Sequence, residues 1–115
     1  MAIEPYGGLL RSSWLDRDLG ISGRAVLRSG DGVEHRLFRD DRAVLRVPQL
    51  AIHLDREQNE ALRVDPARHL TPVWGLARPG RTFRGYVADL VDADPDDVLS
   101  FDAMCHDTVA ATFLG

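Results

Sequence analysis

Arg24-Ala25-Val26-Leu27-Arg28-Ser29-Gly30-Asp31-Gly32-Val33-Glu34-His35-Arg36-Leu37-Phe38 is the stretch whose reading decides the fold. Two extended runs flank a Ser-Gly-Asp-Gly unit whose glycines can take positive φ at little cost, so the spacing predicts a β-hairpin. Towards the C-terminus a third run, Ala43-Val44-Leu45-Arg46-Val47, stops at Pro48. Proline has no donor for a ladder and holds the preceding residue extended, so this run reads as an edge or terminal strand. From residue 55 to residue 81 the periodicity is poor and Pro66, Pro72 and Pro79 divide the chain. That region reads as mostly loop, with a short strand within residues 70–76.

The clearest helix comes next. Phe83, Tyr86, Val87, Leu90 and Val91 fall at i, i+3, i+4, i+7 and i+8, one apolar stripe at helical spacing, and Thr82 is placed to cap it. Asp94-Pro95-Asp96-Asp97 then supplies a capping oxygen and a proline, the signature of a short turn. In the last element Leu99, Phe101, Ala103 and Cys105 alternate with Ser100, Asp102, Met104 and His106, as a half-buried strand requires. The residues therefore predict a small, mainly β domain of α+β class, without internal repeats or low-complexity segments.

Composition narrows the function. A chain of 115 residues that is 44% hydrophobic suffices for one compact domain and is too short for a two-domain hydrolase with its own cleft. The net charge of -4 leaves no basic face for a phosphate backbone, so no nucleic acid is expected as partner. All 14 basic residues are arginine, interleaved with acids as in Asp16-Arg17-Asp18 and Arg39-Asp40-Asp41-Arg42, a pattern typical of solvated, salt-bridged faces. The lone Cys105 excludes an internal disulfide and no leader opens the chain, so a cytoplasmic location is expected. Residues 43–54, the most apolar stretch, are broken by Arg46, Pro48 and His53 and fall short of the roughly 20 apolar residues that span a bilayer, so no membrane is expected.

Residues able to carry chemistry are few. His35, His53, His69 and His106 lie far apart, and neither His-Glu-x-x-His nor Cys-x-x-Cys is present to force a metal site together. His53-Leu54-Asp55 could place two ligands on one face of a strand, a weak pattern on its own. Cys105 and His106 are strand neighbours and so point to opposite faces, which makes Cys105 a buried thiol rather than an activated nucleophile. Gly7-Gly8 reads as a turn, and Trp14 and Trp74 as core or interface anchors. By itself, His53 is an ordinary histidine satisfied by its surroundings.

A resemblance changes the weight of His53. Glu4-Pro5-Tyr6-Gly7-Gly8, Trp14-Leu15-Asp16-Arg17-Asp18-Leu19, Pro48-Gln49-Leu50-Ala51-Ile52-His53-Leu54 and Val98-Leu99-Ser100-Phe101-Asp102-Ala103-Met104 resemble a contiguous block of the aspartyl aminopeptidase family of zinc metallopeptidases. The likeness runs over essentially the whole chain. It departs where Val109-Ala110-Ala111 replaces the family's Gln-Pro after Asp107-Thr108, where Leu10 and Arg11 replace an aromatic, and where Ala103 and Cys105 replace larger residues.

The resemblance implies a lid and dimerisation domain, residues 1–115, with both ends leading to a catalytic domain outside this sequence. Its fold would be a small, closed, Greek-key-like β-barrel with one or two peripheral helices. The parent enzyme would remove N-terminal residues, Asp or Glu, from peptides with a pair of zinc ions, whose ligands do not map onto this chain. His53 would reach the substrate in the active site of a partner subunit, dimers would assemble further into a dodecamer, and the segment alone would hold no catalytic residue and no metal. Two other readings stand beside this one: a free-standing β-barrel binding or assembly module from a truncated gene, and a small metal-dependent hydrolase using His53, Asp55, His69 and His106.

Overall fold

The computed structural model describes residues 3–75 and 80–114. Strands β1 (Leu19–Ser29) and β2 (Gly32–Arg46) form the expected hairpin, with Ser29 opposite Gly32. Gly30 takes φ +54°, a left-handed value open to glycine and suited to the first loop residue of a II′-type turn. Strand β3 (Val73–Trp74) pairs with the far end of β2, and strand β4 (Val98–Asp107) runs antiparallel along β1. The resulting order, β3-β2-β1-β4, is a Greek key: three successive strands lie side by side and the fourth returns beside the first.

Residues 43–47 do not form a separate edge strand. β2 continues through Arg46, and its pairing with β1 jumps from Ile21–Asp40 to Leu19–Leu45, so residues 41–44 bulge outward. Leu45 pairs with β1 on one side and with Trp74 of β3 on the other, which makes it interior. A second slip, between Val26–Ser100 and Leu27–Val98, pushes Leu99 out of the alternation and buries Val98 in its place. Gly23 on β1 allows close strand approach, since a Cβ there would overlap the carbonyl oxygen of Asp102 and stand 2.7 Å from Phe38 Cζ.

The region expected to be loop contains one short helix, α1 (Pro66–His69), besides β3. Asp65 caps α1 by accepting from the Arg68 amide at 3.0 Å, and Pro66 opens its first turn. Leu76 and Pro79, which also entered the reading of this region, lie outside the described residues.

Helix α2 (Phe83–Leu90) follows the predicted stripe, and the Thr82 hydroxyl accepts from the Gly85 amide at 3.1 Å. Its Tyr86, Val87 and Ala88 are buried against Leu19, Ile21, Ala25 and Leu27 of β1, Phe38 and Leu45 of β2, and Val98 of β4. Burying one such aliphatic side chain contributes about 1.5–3 kcal/mol, so this face fixes the helix. Arg36 of β2 donates to the Val91 carbonyl at 2.8 Å, placing a cation at the helix C-terminus where the dipole favours it.

The curled sheet is a half-barrel: among the described residues no pairing joins β3 to β4. Aromatic side chains bridge that gap. Trp74 of β3 meets Phe83 of α2 edge-on at 5.3 Å, and Phe83 meets Phe101 of β4 at 5.6 Å. The barrel expected from the resemblance is thus completed on its open side by a helix and ring contacts. No described helix is long and apolar enough to cross a membrane.

Candidate functional site: the His53 turn and its neighbouring cleft

The chain leaves the sheet at Val47, which is buried, and becomes exposed from Pro48 onward. Val47 is bridged to Leu15, its carbonyl accepts from the Asp16 amide at 2.8 Å, and Asp16 Oδ1 accepts from the Gln49 amide at 3.2 Å. These bonds hold the start of the segment in place. Further on, the Ala51 carbonyl accepts from the amides of Leu54 at 2.8 Å and Asp55 at 3.2 Å, which curls residues 51–55 into a tight turn. His53 stands in this turn, exposed, and its ring makes no hydrogen bond among the described residues. Ile52 and Leu54 on either side are 51% and 70% exposed, and Leu50 and Leu62 nearby are also exposed. Exposed apolar side chains thus flank one exposed polar group along this segment.

Next to the turn lies a cleft of about 160 Å³. Leu15, Pro48, Gln49 and Leu50 line it on one side, and Leu62, Arg63, Val64, Arg68, His69 and Thr71 on the other, with Asp55 and Gln58 completing the wall. Gln49 Nε2 donates to Gln58 Oε1 at 2.9 Å. His69 Nδ1 accepts from the Asp65 amide at 2.9 Å, so the ring's N–H is on Nε2 when neutral.

The four residues of the metal-hydrolase reading do not converge. Asp55 and His69 share the cleft and His53 occupies the neighbouring turn, but His106 is on β4, where its Nε2 lies 3.0 Å from Asp41 Oδ1. Its ring packs against Gly20, where a Cβ would come within 2.5 Å of Nε2, and its Nδ1 is buried without a partner. Arg39, first, and then His106 hold the Asp41 carboxyl below the usual range. Cys105 is half-buried, and burial pushes its thiol up, away from the reactive thiolate. Among the described residues, no group of three or more His, Cys, Asp or Glu side chains is placed to hold a metal ion.

One buried polar centre escaped the sequence reading. Asp40, in a run that reads as solvated, is only 5% exposed. It accepts from two nitrogens of the Arg42 guanidinium, the shortest contact at 2.6 Å, together with the Arg42 amide at 3.0 Å and the Tyr86 hydroxyl at 2.5 Å. Arg42 foremost, with Tyr86, holds its carboxyl well below the ordinary range despite burial. Burial, and then Asp40, push the Tyr86 hydroxyl up. This centre ties α2 to β2.

The sequence pattern of the aminopeptidase I zinc metalloprotease family, M18, matches residues 1–115 in full. The chain belongs to this family. It is 50% identical over 115 residues to a probable M18 family aminopeptidase 2 of Mycobacterium bovis, covering 100% of this chain and 26% of that protein. A Streptomyces avermitilis protein of the same description is 46% identical over 119 residues, 27% of its length. In shape the chain matches a component of the Ape4–Nbr1 complex solved by cryo-electron microscopy, with TM-score 0.87 and 27% identity over 99% of this chain and 26% of that one. It also matches crystalline prApe1, with TM-score 0.86 and 27% identity over 100% of this chain and 28% of that one. The mApe1 dodecamer of S. cerevisiae matches with TM-score 0.71 and 25% identity, over 100% of this chain and 26% of that one. The chain thus spans about a quarter of the length of these relatives. The family's zinc finds no fitting donor set on the described residues.

Proposed function

We propose that residues 1–115 form the lid and dimerisation domain of a cytoplasmic zinc aminopeptidase that removes N-terminal, acidic residues from peptides, and that the segment is inert by itself. The family match over the full chain, at about a quarter of the relatives' length, supports a part of a larger enzyme whose zinc ions are held elsewhere. The observation that carries the reading is the exposed His53, free of partners among the described residues and set among exposed Leu50, Ile52 and Leu54. In this reading the apolar residues meet a second subunit. His53 enters that subunit's substrate chamber and donates a hydrogen bond to the carbonyl oxygen as it gains charge. Dimers would then build a larger assembly of the kind seen in the S. cerevisiae mApe1 dodecamer.

The test is His53→Ala in the full protein that carries these residues. Turnover of an acidic aminoacyl substrate should fall about a hundredfold or more, while zinc content and assembly size stay as they were. Unchanged turnover, or loss of zinc in step with activity, would remove His53 from the substrate chamber.

A further inference from the structure

Arginine pairing divides this molecule. Across the sheet, helix α2 and the N-terminal segment, every described arginine is ion-paired with a carboxylate or donates to a backbone carbonyl, Arg28 by the longest pair, 4.0 Å from Asp97. Only Arg56, Arg63 and Arg68 have no side-chain partner among the described residues, and they fall together in one exposed segment. Arg63 and Arg68 line the cleft with His69, whose Nδ1 is engaged by the Asp65 amide and whose Nε2–H is therefore left to donate.

We propose that this cleft is a binding site for a single carboxylate carried by a peptide. The forked guanidinium groups of Arg63 and Arg68 match a carboxylate in geometry and charge, and Nε2–H of neutral His69 adds a neutral donor beside them. Leu50 and Leu62 supply apolar wall for the carbon stem that carries the acid. At about 160 Å³ the cleft is large enough for one short side chain or one chain end. Asp55, the one acid among the described lining residues, lowers the fixed charge of two arginines to a net of one positive charge, which suits a monoanion better than a phosphate or a polyanion. The inference does not depend on the role proposed for His53, because the site recognises a carboxylate and performs no reaction.

The experiment is calorimetric titration of the full protein carrying these residues with N-acetylated peptides, which have no free α-amino group for an aminopeptidase to act on. Acetyl-Gly-Glu-Gly-amide offers a side-chain carboxylate, acetyl-Gly-Gly-Gly with a free C-terminus offers a main-chain one, and acetyl-Gly-Gln-Gly-amide offers neither. At least one acid should bind about tenfold or more tightly than the glutamine peptide, and the better of the two identifies the source of the carboxylate. The double substitution Arg63→Gln with Arg68→Gln should abolish that preference at unchanged Tm. Arg56→Gln, which removes the same charge outside the cleft lining, should leave it intact. Equal binding of all three peptides, no binding of either acid, or an Arg56→Gln loss as large as that of the double variant would overturn the assignment. The readout is binding of peptides that cannot be turned over, so failure here and failure of the catalytic role proposed for His53 are told apart.

Discussion

The sheet with helix α2, and the segment from residue 47 to residue 75, are built on opposite terms. In the first, Leu19, Ala25, Val87 and Val98 are at most 1% exposed, and even the buried Asp40 has its bonding capacity taken up by Arg42 and Tyr86. In the second, Leu70 and Pro72 are anchored in the core, while Leu50, Ile52, Leu54 and Leu62 face outward and three arginines go unpaired among the described residues. The lesson is a division of labour: the frame meets its own bonding needs with the exception of His106 Nδ1, and the appended segment leaves more of its own unmet among the described residues. Segments with few buried apolar contacts sit at the low end of local stability, where binding surfaces are found.

The strongest challenge to this contrast is one truncation made in both halves. Leu19→Ala should cost about 2–5 kcal/mol, because its site on the central strand is enclosed by β2, β4 and α2 and cannot collapse. Leu54→Ala should change the stability of the same chain by no more than about 0.5 kcal/mol, since its side chain is already 70% exposed. Denaturant melts of both variants decide the matter. Similar losses would mean that the 47–75 segment is folded into the frame and that the division is false.

Tyr86→Phe probes how the frame satisfies its one buried carboxylate. Removing the hydroxyl withdraws a bond to a charged, buried acceptor and should cost about 1.5–3 kcal/mol. It should also reshape the pH profile. Asp40 has a lowered folded pKa, so its contribution is complete above the unfolded value near 4 and is lost as pH falls towards the folded one. Tyr86 has a raised folded pKa, so its contribution is complete below about pH 10 and is lost as pH rises through the folded value. The alkaline limb should shrink in Tyr86→Phe to the part that buried Cys105 carries, and the acid limb should persist through Arg42. Thermal melts from pH 2 to pH 11 would show it, and an unchanged alkaline limb would mean that Tyr86 does not carry it.

What the sequence made legible follows the range of the interactions. Ser29-Gly30-Asp31-Gly32 and the stripe from Phe83 to Val91 are local signals, and the hairpin and α2 stand where they predict. The bulge at residues 41–44 was hidden because Arg39-Asp40-Asp41-Arg42 reads as a solvated, salt-bridged face, and the partner that buries Asp40, Tyr86, lies 46 positions away. Helix α1 was legible in principle: Asp65-Pro66 carries the same cap-and-proline signal as Asp94-Pro95, and poor apolar periodicity masked it. His53 stood out through family resemblance, since nothing in its spacing distinguishes it. The cleft could not be read at all, because Leu15, Leu50 and Arg68 meet only once the chain has folded.

The smallest expected effect sharpens the contrast most. Arg24 and Asp102 face each other across β1 and β4 at 3.1 Å, with side chains 52% and 76% exposed. Such a pair gains little in water and gives up side-chain freedom, so Arg24→Gln should cost about 0–1 kcal/mol, shrinking as salt is added. If so, the pairing of arginines across the frame is not what makes the frame stable; buried Leu19, Val87 and Val98 do that. The pairing instead neutralises the frame's guanidinium groups where they stand and so leaves, among the described residues, those of Arg56, Arg63 and Arg68 unpaired, the last two in the cleft where an incoming acid would meet them. A loss well above 1 kcal/mol that salt did not reduce would reverse the argument, because the frame's ion pairs would then be structural, and free arginines in the 47–75 segment would mark only its looser packing.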